Sequence, residues 1–330
     1  MIFLAGVLAL ALALPLAKLA QRMGFVDVPG SAPHKRHDHP VPIAGGWLIV
    51  ATCAALTLLH TDLRATIGPI LIPSLVVFIF GLWDDARGAG APFKLVGQVL
   101  AAVLLIALGT QVRLFPASQN LLNWGITVLW IVGITNAFNF VDSMDGLAAG
   151  LAGLAAAFFM LAAFDSGQVE LSLFSALLVG ACMGAYFFNQ TPARLFLGDS
   201  GSQWLGFSLA ALAIAYNPDG FLRTQSWFVP ILLLAIPIFD ASLVVFSRLR
   251  RRRPVYQGHF DHTYHRLVAF GVAPGRAVLG MQVVALLLGC LAFVTITLPP
   301  LWANVVYGGS ILLWGLVILW MDSPRRWSSD

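Results

Sequence analysis

The sequence predicts an all-α integral membrane protein, a polytopic bundle of about eleven transmembrane helices forming one domain over residues 1–330. Three observations carry that prediction. Of the 330 residues, 59% are hydrophobic and only 10% are charged. Apolar runs of about 20 residues, the length that crosses a bilayer, recur along the whole chain. Lysine and arginine collect in alternate connections, as they do in multi-pass proteins. The net charge of +4 then follows from topology beside an anionic leaflet, and no nucleic-acid partner is called for.

The runs fall at roughly 2–20, 43–60, 67–83, 93–109, 121–138, 146–164, 171–189, 202–216, 227–246, 276–297 and 301–320. No basic residue precedes the first, and Lys18 and Arg22 follow it, so it reads as a retained helix with its N-terminus outside rather than as a signal peptide. Cys53, Cys182 and Cys290 all lie inside runs, which points to packing and not to a disulfide framework. Beyond Lys18, fifteen Lys and Arg lie in the odd-numbered connections and the C-terminal tail, and three (Arg64, Arg113, Arg223) lie in the even ones. That asymmetry puts the odd connections and the C-terminus in the cytoplasm.

Nearly all of the clustered polar residues fall on the same side. Asp84 and Asp85 follow the third run, Asn139, Asp142 and Asp145 the fifth, and Asp199 the seventh, while Asp240 closes the ninth. An unpaired Asp at a helix centre costs about 2.5–3.5 kcal/mol on insertion scales, so acids at these edges need a use. Adjacent carboxylates such as Asp84 and Asp85 repel unless a cation or a proton relieves them. Lys94, at the start of the next run, is placed to bind phosphate or to snorkel. Asn136, Asn139, Asp142 and Asp145 recur every three residues as a polar ladder leaving the membrane.

In "RLFLGDSGSQWLGF" the glycines permit a tight turn between runs seven and eight, with Ser200 or Ser202 capping the next helix. Free N–H groups at that helix start favour an anion. Asp199 beside them suits a hard cation such as Mg²⁺, which takes one or two carboxylates plus substrate phosphates. The connection near 247–275 holds Arg250 to Arg253, read equally as a lipid anchor or as part of the site, and then "GHFDHTYHRL" with His259, His262 and His265. With no Cys ligand and no HExxH, imidazoles that meet phosphate fit better than zinc. The first connection, "PHKRHDHPVPIAGG", adds His34, Lys35 and His37, as a substrate-gripping or an interfacial loop.

The ordered set "HKRHDHPVPIAGG", "GLWDDARG…KLVGQ", "NAFNFVDSMDGLAAG", "ARLFLGDSGSQWLGF", "PIFD" and "HTYHRL" resembles the polyprenyl-phosphate N-acetylhexosamine-1-phosphate transferases over essentially the whole chain. The resemblance implies transfer of a sugar-1-phosphate, with GlcNAc-1-phosphate the first choice, from a UDP-N-acetylhexosamine to undecaprenyl phosphate. It places this on the cytoplasmic face of a bacterial inner membrane, with Mg²⁺ (Mn²⁺ as the alternative) and release of UMP. Membrane lipid is the surrounding partner, and a homodimer is compatible with the family.

Carried over by motif, Asp199 looks like the metal-binding aspartate, and Asp84 and Asp85 like the pair that handles the lipid phosphate. Lys94 is expected near phosphate, and Asn139, Asp142 and Asp145 on the nucleotide side. His262 and His265 match the outer histidines of an HxHH pattern in which Tyr264 replaces the middle one. His34, Lys35 and Arg266 are expected to bind substrate, and Phe196 to stack on uracil or to pack. The start and end motifs resemble the branch that begins surface-glycan synthesis more than the N-acetylmuramoyl-pentapeptide branch. Readings of another class are an intramembrane aspartyl protease, which needs a dyad inside the membrane, and a transporter, which needs a charge at mid-span.

Overall fold

The computed structural model describes residues 1–29, 39–217, 226–254 and 261–323. His34, Lys35, His37 and His259 lie outside the described residues. The chain divides into two compact units, Met1–Asn217 and Pro218–Asp330, where the sequence reads as one domain. Hydropathy marks which runs are apolar and not which run packs on which, so it carries no sign of that division.

The first unit contains α1 (Ile2–Arg22), the short antiparallel pair β1 (Val26–Asp27) and β2 (Val41–Pro42), α2 (Gly45–Leu59), α3 (Thr61–Arg87) and α4 (Ala91–Ala107). It continues with α5 (Asn120–Val141), α6 (Leu147–Asp165), α7 (Val169–Asn189) and α8 (Gly198–Ala215). The second contains α9 (Val229–Leu233), α10 (Ala235–Arg250), α11 (Thr263–Ala269), α12 (Pro274–Ile296) and α13 (Pro300–Met321).

Among the described residues, seven helical segments are long and apolar enough to cross a membrane: α1, α3, α5 with the turn before it, α6, α7, α12 and α13. α2 and α4 are apolar but shorter. The eleven expected runs therefore do not all become full-length spans. The ninth is divided at Leu234 between α9 and α10. The eighth begins earlier than expected and is α8, buried without a break from Ser200 to Ala213. A helix enclosed on every side need not be uniformly apolar, and α8 carries Ser200, Ser202, Gln203 and Ser208 in its buried stretch.

α8 is the axis of the first unit, packed against α2, α3, α5 and α6. Between helices in lipid there is no apolar surface to hide from water, so close approach of small residues and hydrogen bonds hold them together. Two glycines show it. A Cβ on Gly46 of α2 would fall 2.4 Å from Gly201 Cα, and one on Gly81 of α3 would fall 2.6 Å from Ser200 Cα. Any side chain there would push α2 or α3 away from the first turn of α8. In the second unit, Leu243 of α10 packs with Ile318 and Met321 at the end of α13.

Candidate active site

The GDSGS stretch is not a free turn capped by its own serines. It is the first turn of α8, and its cap comes from α3. The Asp85 carboxylate accepts the Asp199 N–H at 2.7 Å, the Ser200 N–H at 3.0 Å and the Ser200 hydroxyl at 2.6 Å. Gly198 makes room for it: its φ is 76°, and a Cβ there would sit 2.8 Å from Asp85 Oδ2. The expected anion at this helix start is therefore an Asp side chain of the protein itself. Ser202 instead donates to the Gly198 carbonyl at 3.1 Å. Upstream, Phe196 N–H donates to the Pro42 carbonyl at 3.0 Å and the Phe196 carbonyl accepts from Gly45 at 2.8 Å. The half-buried Phe196 thus sets the register between the end of the first connection and the turn into α8.

Asp84, one residue before Asp85, faces a different neighbour. Lys94 Nζ lies 3.1 Å from Asp84 Oδ2 and 3.0 Å from Asp199 Oδ2, joining α3, α4 and α8 through one ammonium. The other Asp84 oxygen accepts the Gly90 N–H at 2.7 Å. Asn139 of α5 donates to Asp199 Oδ1 and, at 3.0 Å, to Ser202 Oγ. Below this layer, Asn136 donates to Gln98 at 2.7 Å and Gln98 to Gln203 at 3.0 Å, so an amide chain ties α5 to α4 and α4 to α8. Gln203 is the member of this group that the sequence reading passed over; a Gln inside an otherwise apolar run, four residues after Asp199, was its signal.

The three-residue ladder is only half helical. Asn136 and Asn139 ride on α5, which ends at Val141, and Asp142 and Asp145 lie beyond it. Asp145 Oδ2 accepts the Ala193 N–H at 3.1 Å, fastening the segment that leads into α8. Asp142 is partly exposed, yet desolvation, followed by the charges of Asp199, Asp85 and Asp145, pushes its carboxyl well above the ordinary carboxylate range. Asp84, Asp85, Asp142 and Asp199 therefore gather in one place, and Lys94 is the cation that bridges two of them.

In the second unit Asp240 performs for α11 what Asp85 performs for α8. Its carboxylate accepts the Thr263 N–H at 2.6 Å and holds His262 Nδ1 at 2.8 Å. His265 Nε2 meets the Tyr264 hydroxyl at 2.5 Å. Arg266, expected to bind substrate, is instead 0% exposed and internal. It reaches Asp322 at 3.0 Å, Ser247 Oγ at 2.8 Å and the Asp261 carbonyl at 3.0 Å. Arg250 and Arg251 join the same carboxylate, at 2.7 and 2.6 Å. Part of the basic run thus closes α13 onto α10 and α11, a role invisible without knowing that Asp322 comes back to them.

The glycosyl transferase family 4 model matches residues 67–217, which holds every carboxylate of the first unit's site. A probable undecaprenyl-phosphate N-acetylglucosaminyl 1-phosphate transferase of Bacillus subtilis is 30% identical over 88% of this chain and 83% of its own. This chain belongs to glycosyl transferase family 4. Within it, a decaprenyl-phosphate N-acetylglucosaminephosphotransferase of Mycobacterium tuberculosis is 31% identical over 84% of the chain and 77% of its own. A phospho-N-acetylmuramoyl-pentapeptide-transferase of Limosilactobacillus fermentum is 32% identical, but over only 54% of the chain. The family 4 match ends at Asn217, so the His262 and His265 region is covered by the longer relatives and not by the family model.

Proposed function

We propose that this family 4 protein transfers N-acetylglucosamine-1-phosphate from UDP-GlcNAc to undecaprenyl phosphate at the cytoplasmic face of a bacterial plasma membrane, releasing UMP. The observation that carries it is the joining of Asp84, Lys94, Asp199 and Asn139 across four helices, with Asp142 beside them. The choice of donor is supported by the names of the relatives aligned over more than four fifths of the chain. The fifteen-to-three distribution of basic residues supports the cytoplasmic face and the orientation of the helices.

The reaction brings two phosphates together, and anionic repulsion is the obstacle. An oxygen of the acceptor phosphate attacks the β-phosphorus of the donor. A new P–O bond forms as the bond from that phosphorus to the bridging oxygen breaks, and the electron pair leaves with UMP. Lys94 holds positive charge between two carboxylates at the place where those phosphates meet. Asp84, fixed by Gly90 and Lys94, orients the acceptor or takes its proton. Among the described residues no three of His, Cys, Asp and Glu are grouped to hold an ion by themselves, so Mg²⁺ here would need substrate phosphate oxygens beside one or two carboxylates. Asp199 is the residue that would hold it, with Asp142 beside it, and the ion would supply neutralisation of phosphate charge. Asn139, Asp142 and Asp145 are assigned to the nucleotide side, Phe196 to the uracil, and His262 and His265 to phosphate.

Purified protein incubated with radiolabelled UDP-GlcNAc, undecaprenyl phosphate and Mg²⁺ is expected to yield labelled lipid and UMP. Labelled lipid formed from UDP-N-acetylmuramoyl-pentapeptide instead, or no lipid product from either donor, overturns the assignment. Asp199→Asn is expected to cut turnover by about 10³-fold, the scale of losing a group that stabilises transition-state charge.

A further inference from the structure

We infer that Asp85 is a positioning residue for the transfer reaction, fixing the first turn of α8 so that Asp199 is presented to the substrate, and is not one of the groups that touch the lipid phosphate. The inference rests on the reading of the site given above, but its geometry stands apart from it.

The two adjacent acids have separate fates because successive residues of a helix point about 100° apart. Asp84 faces the Lys94 ammonium, which it shares with Asp199. Asp85 points at α8, where both its oxygens are engaged: Oδ1 by the Asp199 N–H, Oδ2 by the Ser200 N–H and hydroxyl. Those three donors turn Asp85 to the start of α8, whereas Asp84 is the member of the pair that holds the Lys94 ammonium. A carboxylate at a helix N-terminus is held by the backbone donors and by the helix dipole together.

The surroundings fit a fixed part. Gly198 has a left-handed φ of 76° and no room for a side chain between Ile43 and Asp85. Gly81, one helical turn before Asp85, lets α3 reach the Ser200 backbone. The amide that Asp85 holds most closely, at 2.7 Å, belongs to Asp199 itself, so a shift of the cap moves the residue on which the proposed metal depends. Asp240 repeats the device by capping Thr263 while holding His262. In both places a carboxylate from an earlier helix, half-buried at Asp85 and buried at Asp240, fixes the start of a helix that carries a motif residue.

The test compares wild-type protein with Asp85→Asn, Ser200→Ala and the double variant. Hydrogen exchange at the Asp199 and Ser200 amides needs no substrate. It is expected to quicken at least about tenfold in Asp85→Asn, and unchanged exchange overturns the cap whatever the enzyme's substrate proves to be. Activity is read against Mg²⁺ concentration. The concentration for half-maximal rate is expected to rise several-fold in both single variants, with Ser200→Ala adding nothing further once Asp85 is Asn. Losses that multiply in the double variant, or a lowered rate at unchanged Mg²⁺ requirement, overturn the positioning role. Ser200→Ala keeps the carboxylate and both backbone bonds, so it tests the same contact if Asp85→Asn fails to fold.

Discussion

Asp199 and Asp322 are both carboxylates beside helix ends, and the protein treats them in opposite ways. Asp199 sits with Asp84, Asp85 and Asp142 and shares a single ammonium with one of them. Asp322 receives Arg250, Arg251, Arg266 and Ser247. Among the described residues the first cluster has one ammonium for four carboxylates, whereas the second carboxylate is met by three guanidinium groups and a hydroxyl. A half-buried like-charge cluster is costly until a ligand or a proton relieves it, whereas a closed ion network needs nothing from outside. Among the described residues, charge left incomplete separates the candidate site from the scaffold better than charge density does, since both regions are dense.

The largest effect that would sharpen the contrast is at the closed network. Asp322→Ala leaves Arg266 buried without its carboxylate, and a loss of about 3–5 kcal/mol is expected. It would be seen as early melting and as proteolysis between α10 and α13. Adding Arg266→Met should restore part of that stability, because removing both charges is milder than orphaning one. A tolerant Asp322→Ala would break the comparison.

At the incomplete cluster, Lys94→Met is expected to lower activity by about 10²-fold, the scale of one lost charge-stabilising group. It should also make the protein more dependent on Mg²⁺ for thermal stability than the wild type is. Melting curves with and without the ion check this; an equal Mg²⁺ increment in both proteins would show that the carboxylates do not share one field.

Asp142→Asn removes a carboxyl whose ionisation burial and three carboxylates oppose. Its melting temperature without ligand should rise by about 2–4 °C, the shift that about 1 kcal/mol produces at this size, while transfer activity falls.

Acid gives the smallest effect. Burial raises the Asp261 carboxyl, but the Arg248 bonds outweigh it and hold the group below its ordinary value of 3.8. Asp322 behaves likewise, with burial outweighed by Arg251, Ser247 and Arg266. Folded-state values below the unfolded ones mean stability that is present above about pH 3.8 and is lost as pH falls through the depressed values. Melting in the second unit should therefore hold from neutrality down to about pH 4 and drop below it, and Asp322→Asn should flatten that drop.

Much of the site was legible because its residues stand out chemically against an apolar chain. Asp84, Asp85, Lys94, Asn139, Asp142 and Asp199 all stand out by their types and edges alone, and the other five gather around Asp199 or its neighbouring backbone. What the pattern hid was direction. It did not separate Asp84 from Asp85, because adjacent letters carry no facing. Its motif put Arg266 with the substrate, while Asp322, some 56 residues on, engages its guanidinium. It gave Ser200 and Ser202 a capping role that Asp85 performs from another helix.

By itself the sequence determined that the chain is helical, apolar and built for a membrane, and which polar residues are too costly to be idle, because hydropathy and the price of a buried charge are local properties of each segment. Only the tertiary structure decided that α8 is the enclosed axis, that the chain forms two units, and which carboxylates serve as caps, which as latches and which share the Lys94 ammonium. Those distinctions depend on partners tens to more than a hundred residues away, and a hydrogen bond over that separation leaves no periodicity to read.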